Sequence, residues 1–269
     1  MITLLSACDS SGPFGTDNPL ARPAPATDGL APQFQQSMRS EAVAVNTLLT
    51  QADALLAAGK VQDAARLMKR ADKHLGTVES AIQANMLHGR IAMAEGRHRA
   101  ARRHFNDAVR RDPRFLPGWL GIGQAADQQE NYGEAAEAYA RARALQPDHP
   151  NVLNDLAMSA LRQNRPTEAI PLLQQALRAK PDHVVAAGNL RIARAMTGDY
   201  DGALLGVGSS ERPDVLNNIG YIALGRGDID VAERMLTEAM RVSPVYHTKA
   251  AANLTELRRL TGAGAARGP

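Results

Sequence analysis

Small and large apolar residues recur in a fixed order along the chain from about residue 41. In each recurrence a small residue stands twelve positions before an alanine, and a larger residue follows that alanine after four positions. The small residues and their alanines are Gly89/Ala101, Gly123/Ala135, Ala157/Ala169 and Gly220/Ala232, and the larger residues are Phe105, Tyr139, Leu173 and Leu236. Because short side chains at matched places let two helices approach closely, this pattern predicts antiparallel helix pairs with the larger residues between successive pairs.

Prolines mark the length of each recurrence. Pro113, Pro147 and Pro181 follow one another at intervals of 34 residues. Proline restricts the residue before it and ends a helix, so each one marks the end of a second helix. The predicted units are 45–81, 82–115, 116–149, 150–183, 184–212 and 213–246, followed by a capping helix at 247–261.

The best-defined unit resembles the tetratricopeptide repeat (TPR). The residues that match the TPR pattern are Trp119, Ile122, Gly123, Ala135, Tyr139, Ala142 and Pro147. One position departs from it, because Ala126 stands where the family has tyrosine. The resemblance implies an all-α, right-handed superhelical solenoid of about six helix pairs with a C-terminal capping helix.

One unit breaks the period. Residues 184–212 are only 29 residues long, and Arg191 replaces the small residue that faces Ala203. Gly206 and Gly208, with two following serines, lower the helix propensity of the segment that forms the second helix. We therefore expect a truncated second helix and a bend or loosened stacking around residues 204–212.

Composition and charge narrow the function classes. The chain is 44% hydrophobic but only 4% aromatic, which favours closely packed helices over a β-sheet core. A formal charge of +3 does not indicate nucleic-acid binding. One cysteine excludes an internal disulfide framework and a cysteine-cluster metal site. The seven histidines show no metal-ligand spacing, and no catalytic residues, metal ligands or cofactor are predicted.

Two short motifs have plain structural interpretations. His149 and His183 occupy the same turn between repeats, so their separation reflects the 34-residue period. The tripeptide Arg226-Gly227-Asp228 has the sequence of a cell-adhesion motif, but it falls at a turn between two helices where every repeat carries such residues.

The N-terminus contains a candidate modification site. Leu5-Ser6-Ala7-Cys8 resembles the bacterial lipobox, a signal in which the segment before cysteine is removed and the cysteine is lipidated. Only seven residues precede Cys8 and none is basic, so either coding sequence lies upstream of Met1 or the match is accidental. Residues 1–8 are interpreted as the remnant of this signal.

The segment after this motif is predicted to be a tether. Residues 9–40 are rich in proline, glycine, serine and alanine, and we expect them to be disordered, as we do the tail 262–269. A cysteine, a tether and a folded domain in this order are typical of a lipoprotein. The expected location is the cell envelope, anchored by lipid and facing the periplasm, with the outer membrane favoured over the inner. Asp9 leaves the choice of membrane open.

The first helices of TPR pairs line a groove that binds other proteins. The resemblance implies a peptide-binding groove that includes Asn154, Asn189, Asn218, Tyr221 and Asn253. Side-chain amides both donate and accept hydrogen bonds, so a row of them fits an extended peptide backbone. The alternative is that these amides bond from helix to helix within the fold.

Seven arginines are concentrated between residues 97 and 114, with Asp107 and Asp112 as the acidic residues among them. A solvated helix face is one interpretation, and an acidic partner or anionic lipid headgroups are the other. RNA is disfavoured because aromatic residues for base stacking are almost absent nearby.

The C-terminal repeat resembles one family in particular. The stretch 215–223, followed by Gly227-Asp228 and Ala232-Glu233, is similar to the TadD-like TPR lipoproteins of tight-adherence (Flp) pilus assembly. The resemblance implies a non-catalytic, pilotin-like assembly factor whose partner is a pilus secretin or another assembly component. A cytoplasmic, co-chaperone-like peptide-binding adaptor without lipidation and a subunit that serves a separate enzyme remain open alternatives.

Overall fold

A computed structural model describes residues 32–243 and 248–261, with side chains from residue 42 onward. These residues form thirteen α-helices and one 3-10 turn at Asp72–His74, and none of them lies in a β-strand. The helices are α1 Pro32–Ala57, α2 Val61–Ala71, α3 Val78–Ala94, α4 His98–Arg111, α5 Leu116–Asp127, α6 Tyr132–Leu145, α7 Pro150–Arg162, α8 Pro166–Ala179, α9 Val184–Thr197, α10 Tyr200–Leu204, α11 Arg212–Arg226, α12 Ile229–Val242 and α13 Thr248–Thr261.

Consecutive helices from α1 to α12 form six pairs joined by short turns, and α13 follows them. This arrangement confirms the predicted all-α fold of repeated helix pairs with a capping helix. The turn inside a pair needs one residue with a left-handed backbone, such as Gly96 with a φ of 70°. Glu130 and Asn164 adopt φ values of 56° and 55° at the corresponding turns of later pairs.

The first helix begins earlier than the sequence analysis expected. α1 starts at Pro32, so the prediction that the tether extends to residue 40 is wrong. Proline is compatible with the first turn of a helix because the amide it lacks has no intrahelical partner there. Cys8, the remainder of the tether and the tail lie outside the described residues.

The small residues of the pattern lie where the helices approach most closely. Phe105 is 1% exposed, and its ring lies between Gly89 of its own pair and Gly121 of the next pair. A Cβ atom at either glycine would collide with that ring. Gly123 makes the same approach to Tyr139. Close packing at the small residues is therefore confirmed, but the groups nearest to Gly89 and Gly123 are the large rings and not the alanines that the sequence pattern predicted.

The chain divides into two compact units between Asp155 and Leu156, inside α7. The N-terminal unit contains α1–α6 and the start of α7, and Met68 and Phe105 lie in its core. The C-terminal unit contains the rest of α7 and α8–α13, and its core includes Leu216 and Leu236. No helix in the described ranges combines the length and hydrophobicity needed to span a membrane.

The predicted truncated helix is confirmed. α10 has five residues, whereas the second helices α4, α6, α8 and α12 each have fourteen. After α10 the chain exposes Leu205 and turns at Gly206, whose φ is 69°. Arg191 forms an ion pair with Glu211 at 3.3 Å in place of a small-residue contact. A bend in the helix stack remains a prediction.

Candidate functional site

Three asparagine side chains form a hydrogen-bonded chain between α11 and α13 in the C-terminal unit. Asn253 Nδ2 donates to Asn217 Oδ1 at 2.9 Å. Asn217 Nδ2 in turn donates to Asn218 Oδ1 at 3.3 Å. Asn217 is 5% exposed, so it holds the other two amides in place from below the surface.

The outer members of this chain keep polar groups for a ligand. Asn218 uses its oxygen in the chain, which leaves its Nδ2 as a donor, and Asn253 uses its nitrogen, which leaves its Oδ1 as an acceptor. Both side chains are half-buried, as is Tyr221, one helical turn after Asn218. We call Asn217, Asn218, Tyr221 and Asn253 the amide patch. It offers a donor, an acceptor and an aromatic ring, which suit an extended peptide.

Two of the predicted groove residues do not contribute to the accessible surface. Asn154 and Asn189 are each 4% exposed. Asn154 Nδ2 donates to Asp155 Oδ1 at 3.3 Å inside the N-terminal unit. The prediction that these two amides lie in an open groove is therefore wrong, because both residues are buried. Ligand binding by Asn218, Tyr221 and Asn253 remains a prediction.

Asn217 is not among the predicted site residues, although it directly precedes one of them. The sequence pattern places Asn218 in line with Asn253, 35 residues later, but the bond in the structure joins Asn253 to Asn217. Two adjacent asparagines in the first helix of this repeat were the available signal.

First helices of the N-terminal unit are linked by polar side chains at comparable positions. Arg90 of α3 pairs with Asp53 of α1. Gln124 Nε2 of α5 donates to Asp155 Oδ2 of α7 at 2.8 Å. These groups bond from helix to helix. The bond between Asn253 and Asn217 also joins two helices, as the alternative for the amides predicts, but it leaves polar groups of Asn218 and Asn253 unused. The amide patch is therefore the candidate peptide-binding surface.

The adhesion-like tripeptide has a structural role in the C-terminal unit. Arg226 Nε donates to Tyr200 Oη and to Asp228 Oδ2, each at 3.1 Å, and the Tyr200 hydroxyl donates to Asp228. The hydrogen bonds from Tyr200 and Arg226 hold the pKa of Asp228 below its usual value. Burial, with the hydrogen bond to Asp228, raises the pKa of Tyr200. Gly227 ends α11 with a φ of 84°, so the three residues shape this turn.

Four of the histidines in the described residues make structural contacts. His149 Nδ1 accepts from Asn151 N, and His183 Nδ1 accepts from Ala186 N, both at 3.2 Å. Each ring thus accepts a backbone N–H in the first turn of a helix. His104 stacks on His88 with ring centroids 5.2 Å apart. Burial, followed by the charges of His88 and nearby arginines, lowers the pKa of His104. Within residues 32–243 and 248–261 no three such ligands are grouped as a metal site.

Helix pairs of this length, with small residues at the close approach and a large residue between pairs, define a tetratricopeptide-type helical-repeat protein. Residues 24–186, more than half of the chain, match the family model of the tetratricopeptide repeat protein 21 C-terminal ARM domain. The chain belongs to this family.

Curated relatives share parts of the repeat region. A TPR repeat-containing protein of Pseudomonas aeruginosa is 34% identical over 106 residues, which are 38% of this chain and 18% of the relative. Protein FlbA of Caulobacter vibrioides is 28% identical over 155 residues, which are 54% of this chain and 26% of the relative. The chain thus spans about a quarter or less of the curated relatives it matches.

Solved structures share the fold. The Cut9–Hcn1 complex gives a TM-score of 0.61 at 21% identity, covering 79% of this chain and 42% of the other. PilF of Pseudomonas aeruginosa gives 0.58 at 17% identity, covering 82% and 99%. PilW, a widely conserved type IV pilus biogenesis factor, gives 0.53 at 19% identity, covering 67% and 86%. At these identities the likeness establishes the repeat architecture of this chain.

Proposed function

We propose that this TPR scaffold for protein–protein interaction is a lipid-anchored assembly factor for Flp (tight-adherence) pili in a bacterial cell envelope. The observation that carries the interaction role is the amide patch, where a buried asparagine orients two half-exposed amides beside Tyr221. The proposed ligand is an extended segment of a pilus secretin or of another assembly component. Its backbone amides would meet the free Asn218 donor and Asn253 acceptor.

The pilus assignment is supported by where the family resemblance falls. The TadD-like stretch 215–223 lies in α11 and contains Asn217, Asn218 and Tyr221, three of the four residues of the amide patch. PilW, a type IV pilus biogenesis factor, shares the repeat architecture. The residues that carry the family resemblance and the polar groups of the amide patch therefore lie on the same helix.

The anchor is supported by the residues Leu5-Ser6-Ala7-Cys8, which match the lipobox. In the proposed arrangement, Cys8 carries the lipid, and the protein faces the periplasm from the outer membrane. Two or more acyl chains on one cysteine would hold the protein stably on the membrane, because each buried methylene contributes about 0.8 kcal/mol.

A genetic experiment in the source bacterium tests the pilus role. Deletion of the gene is expected to abolish Flp pili on the cell surface, counted by electron microscopy, and the wild-type gene is expected to restore them. Asn218→Ala/Tyr221→Ala should fail to restore pili at equal protein level. Arg141→Ala, an exposed change on α6, is the matched control and should restore them. Normal pili in the deletion strain would refute the proposal.

A labelling experiment tests the anchor separately. Cells grown with a fatty-acid probe are expected to label the wild-type protein and to leave Cys8→Ser unlabelled. If the wild-type protein carries no label and fractionates with the cytoplasm, the unlipidated adaptor is the correct interpretation.

A binding experiment tests the amide patch. A photo-reactive amino acid at position 221 should cross-link purified secretin, whereas the same group at position 141 should not. Equal cross-linking from both positions would remove the patch from the proposal.

A further inference from the structure

The outer surface of the N-terminal unit carries cations at equivalent positions of two successive second helices. Arg66 of α2 and Arg103 of α4 each stand two residues after the fully buried alanine of their helix, Ala64 or Ala101. Arg110 lies near the end of α4, and Lys73 lies in the 3-10 turn that follows α2. All four cations are exposed, and the equal offsets of Arg66 and Arg103 direct these two to the same side of the helix layer.

Two further arginines extend this surface along the helices. Arg99, Arg103 and Arg110 are spaced four and seven residues apart on α4, which places them in one stripe along the helix. Arg70 lies four residues after Arg66 on α2, so it continues the stripe there. We define the basic face by these exposed residues: Arg66, Arg70, Lys73, Arg99, Arg103 and Arg110.

The positive charge of the basic face is poorly compensated. Asp63 and Asp107 pair with Arg66 and Arg110, but the two arginine side chains remain 76% and 74% exposed, and such surface pairs contribute little. Over the part of the chain that the structure describes, the other four cations form no ion pair.

The neighbouring second helix shows that this charge is local. Arg102 pairs with Glu134, so α4 and α6 lie side by side. The α6 positions equivalent to Arg103 and Arg110 are Glu137 and Ala144. The repeat pattern therefore does not require cations at these positions. The cations on α2 and α4 are a separate feature of the sequence.

The chemistry of the basic face fits a layer of phosphate groups. Guanidinium groups bind phosphate oxygens in pairs and remain charged at any physiological pH. The strongly exposed large hydrophobic side chains of the described residues are Val43, Val78, Val184, Leu205 and Leu260. None of them is on α2 or α4, whereas a stable protein interface has an apolar centre. The basic face also lacks aromatic side chains on which unpaired bases could stack.

We propose that the basic face docks the N-terminal unit onto the anionic surface of a phospholipid bilayer. The guanidinium and ammonium groups contact lipid phosphates, while the helices stay above the headgroups because no apolar side chain is available to insert. This contact does not depend on lipidation of Cys8. It would fix which side of the repeats faces the membrane.

Vesicle co-sedimentation of the full chain tests this proposal. All proteins carry Cys8→Ser, so that an acyl chain cannot contribute. The vesicles contain phosphatidylglycerol and phosphatidylethanolamine, or phosphatidylcholine alone. We expect binding to the anionic vesicles only, and a steep loss of binding as salt is raised. Arg99→Glu/Arg103→Glu should reduce the partition coefficient about tenfold or more.

A matched control separates the basic face from net charge. Arg141→Glu/Arg143→Glu makes the same change in charge on exposed positions of α6 and should reduce binding by less than about threefold. Circular dichroism should show unchanged helix content in both variants. Equal losses in both variants, no binding to anionic vesicles at low salt, or tighter binding to duplex DNA than to vesicles at equal phosphate would each overturn the proposal.

Discussion

The complete repeat α3–α4 and the truncated repeat α9–α10 share a buried alanine but differ in the length of their second helix. In the complete repeat, Phe105 stands four residues after Ala101 and fills the space between Gly89 and Gly121. In the truncated repeat, the residue four positions after Ala203 is Val207, which is half-buried and lies beyond the end of α10. Both repeats bury their alanine completely.

The difference shows which contact supports the length of a second helix. The helix that contains Ala203 has five residues, whereas the second helices that have a large side chain one turn after their alanine have eleven to fourteen. Gly206 and Gly208 lower the helix propensity of this segment, and packing does not compensate for that loss. The large side chain between repeats, more than the alanine, is what holds a second helix to its full length.

Removing this side chain from the complete repeat tests the conclusion most strongly. Phe105→Ala should lower the free energy of unfolding by about 3–5 kcal/mol, because it leaves a cavity between two helix pairs. The matched control, Leu205→Ala, alters a residue that is 70% exposed in the truncated repeat, and it should change stability by about 0.5 kcal/mol or less. Urea titration followed by circular dichroism measures both.

Comparable losses for the two variants would mean that the truncated repeat is held by Leu205 in a way that its exposure does not show. A loss below about 1 kcal/mol for Phe105→Ala would contradict the role of the large side chain.

The second prediction adds atoms where the first removes them. Gly123→Ala places a Cβ against the Tyr139 ring, and overpacking of this kind should cost about 1–3 kcal/mol. A Cβ at Gly208 in the truncated repeat meets open space, so Gly208→Ala should be neutral or stabilise the protein by up to about 1 kcal/mol. Any gain would arise because alanine reduces the conformational entropy of the unfolded chain. Thermal unfolding of both variants gives the comparison, and a tolerated alanine at Gly123 would count against close helix approach.

Most of the fold could be predicted from the sequence because the decisive contacts repeat. The pairing of a small residue with an alanine and a large residue recurs often enough for packing to be inferred from spacing alone. The start of α1 was missed for the opposite reason. Residues 32–40 precede the first complete repeat, so no recurrence identified them, and their polar composition resembled the tether.

The candidate site was less predictable because one helical position decides between a buried and an accessible amide. Asn154 and Asn189 are buried, whereas Asn218 and Asn253 are accessible, although the sequence placed all four on first helices. The burial of Asn217 and its bond to Asn253 are seen only in the structure. Such a bond depends on side-chain direction, which a repeat period does not specify.

The third prediction compares hydroxyl groups in the two repeat types. Tyr139 donates to the buried Asp127 at 2.9 Å within the complete repeat α5–α6, so Tyr139→Phe should cost about 1–2 kcal/mol. Tyr200 at the start of α10 donates to Asp228, which is much less buried, so Tyr200→Phe should cost about 0.5 kcal/mol. Urea midpoints compare the two variants, and a larger loss at Tyr200 would reverse the expected order.

The smallest expected effect is a dependence of stability on pH. Burial, with the charges of His88, Arg103 and Arg97, lowers the pKa of His104 in the complete repeat below its usual 6.5. The folded protein then binds fewer protons than the unfolded chain below about pH 6.5. The contribution of His104 to stability is therefore fully present above that pH and is lost as the pH falls through the folded pKa.

His183, which caps the first helix of the truncated repeat, has a pKa lowered by burial and by Lys180, so its contribution has the same sign. Urea midpoints of the wild-type chain should fall as the pH is lowered from about 8 to about 5. His104→Gln and His183→Gln should each flatten this fall, because each removes one group that must take up a proton on unfolding. A fall of unchanged steepness in both variants would show that other groups carry it. A flattening confined to His104→Gln would assign the acid sensitivity to the complete repeat.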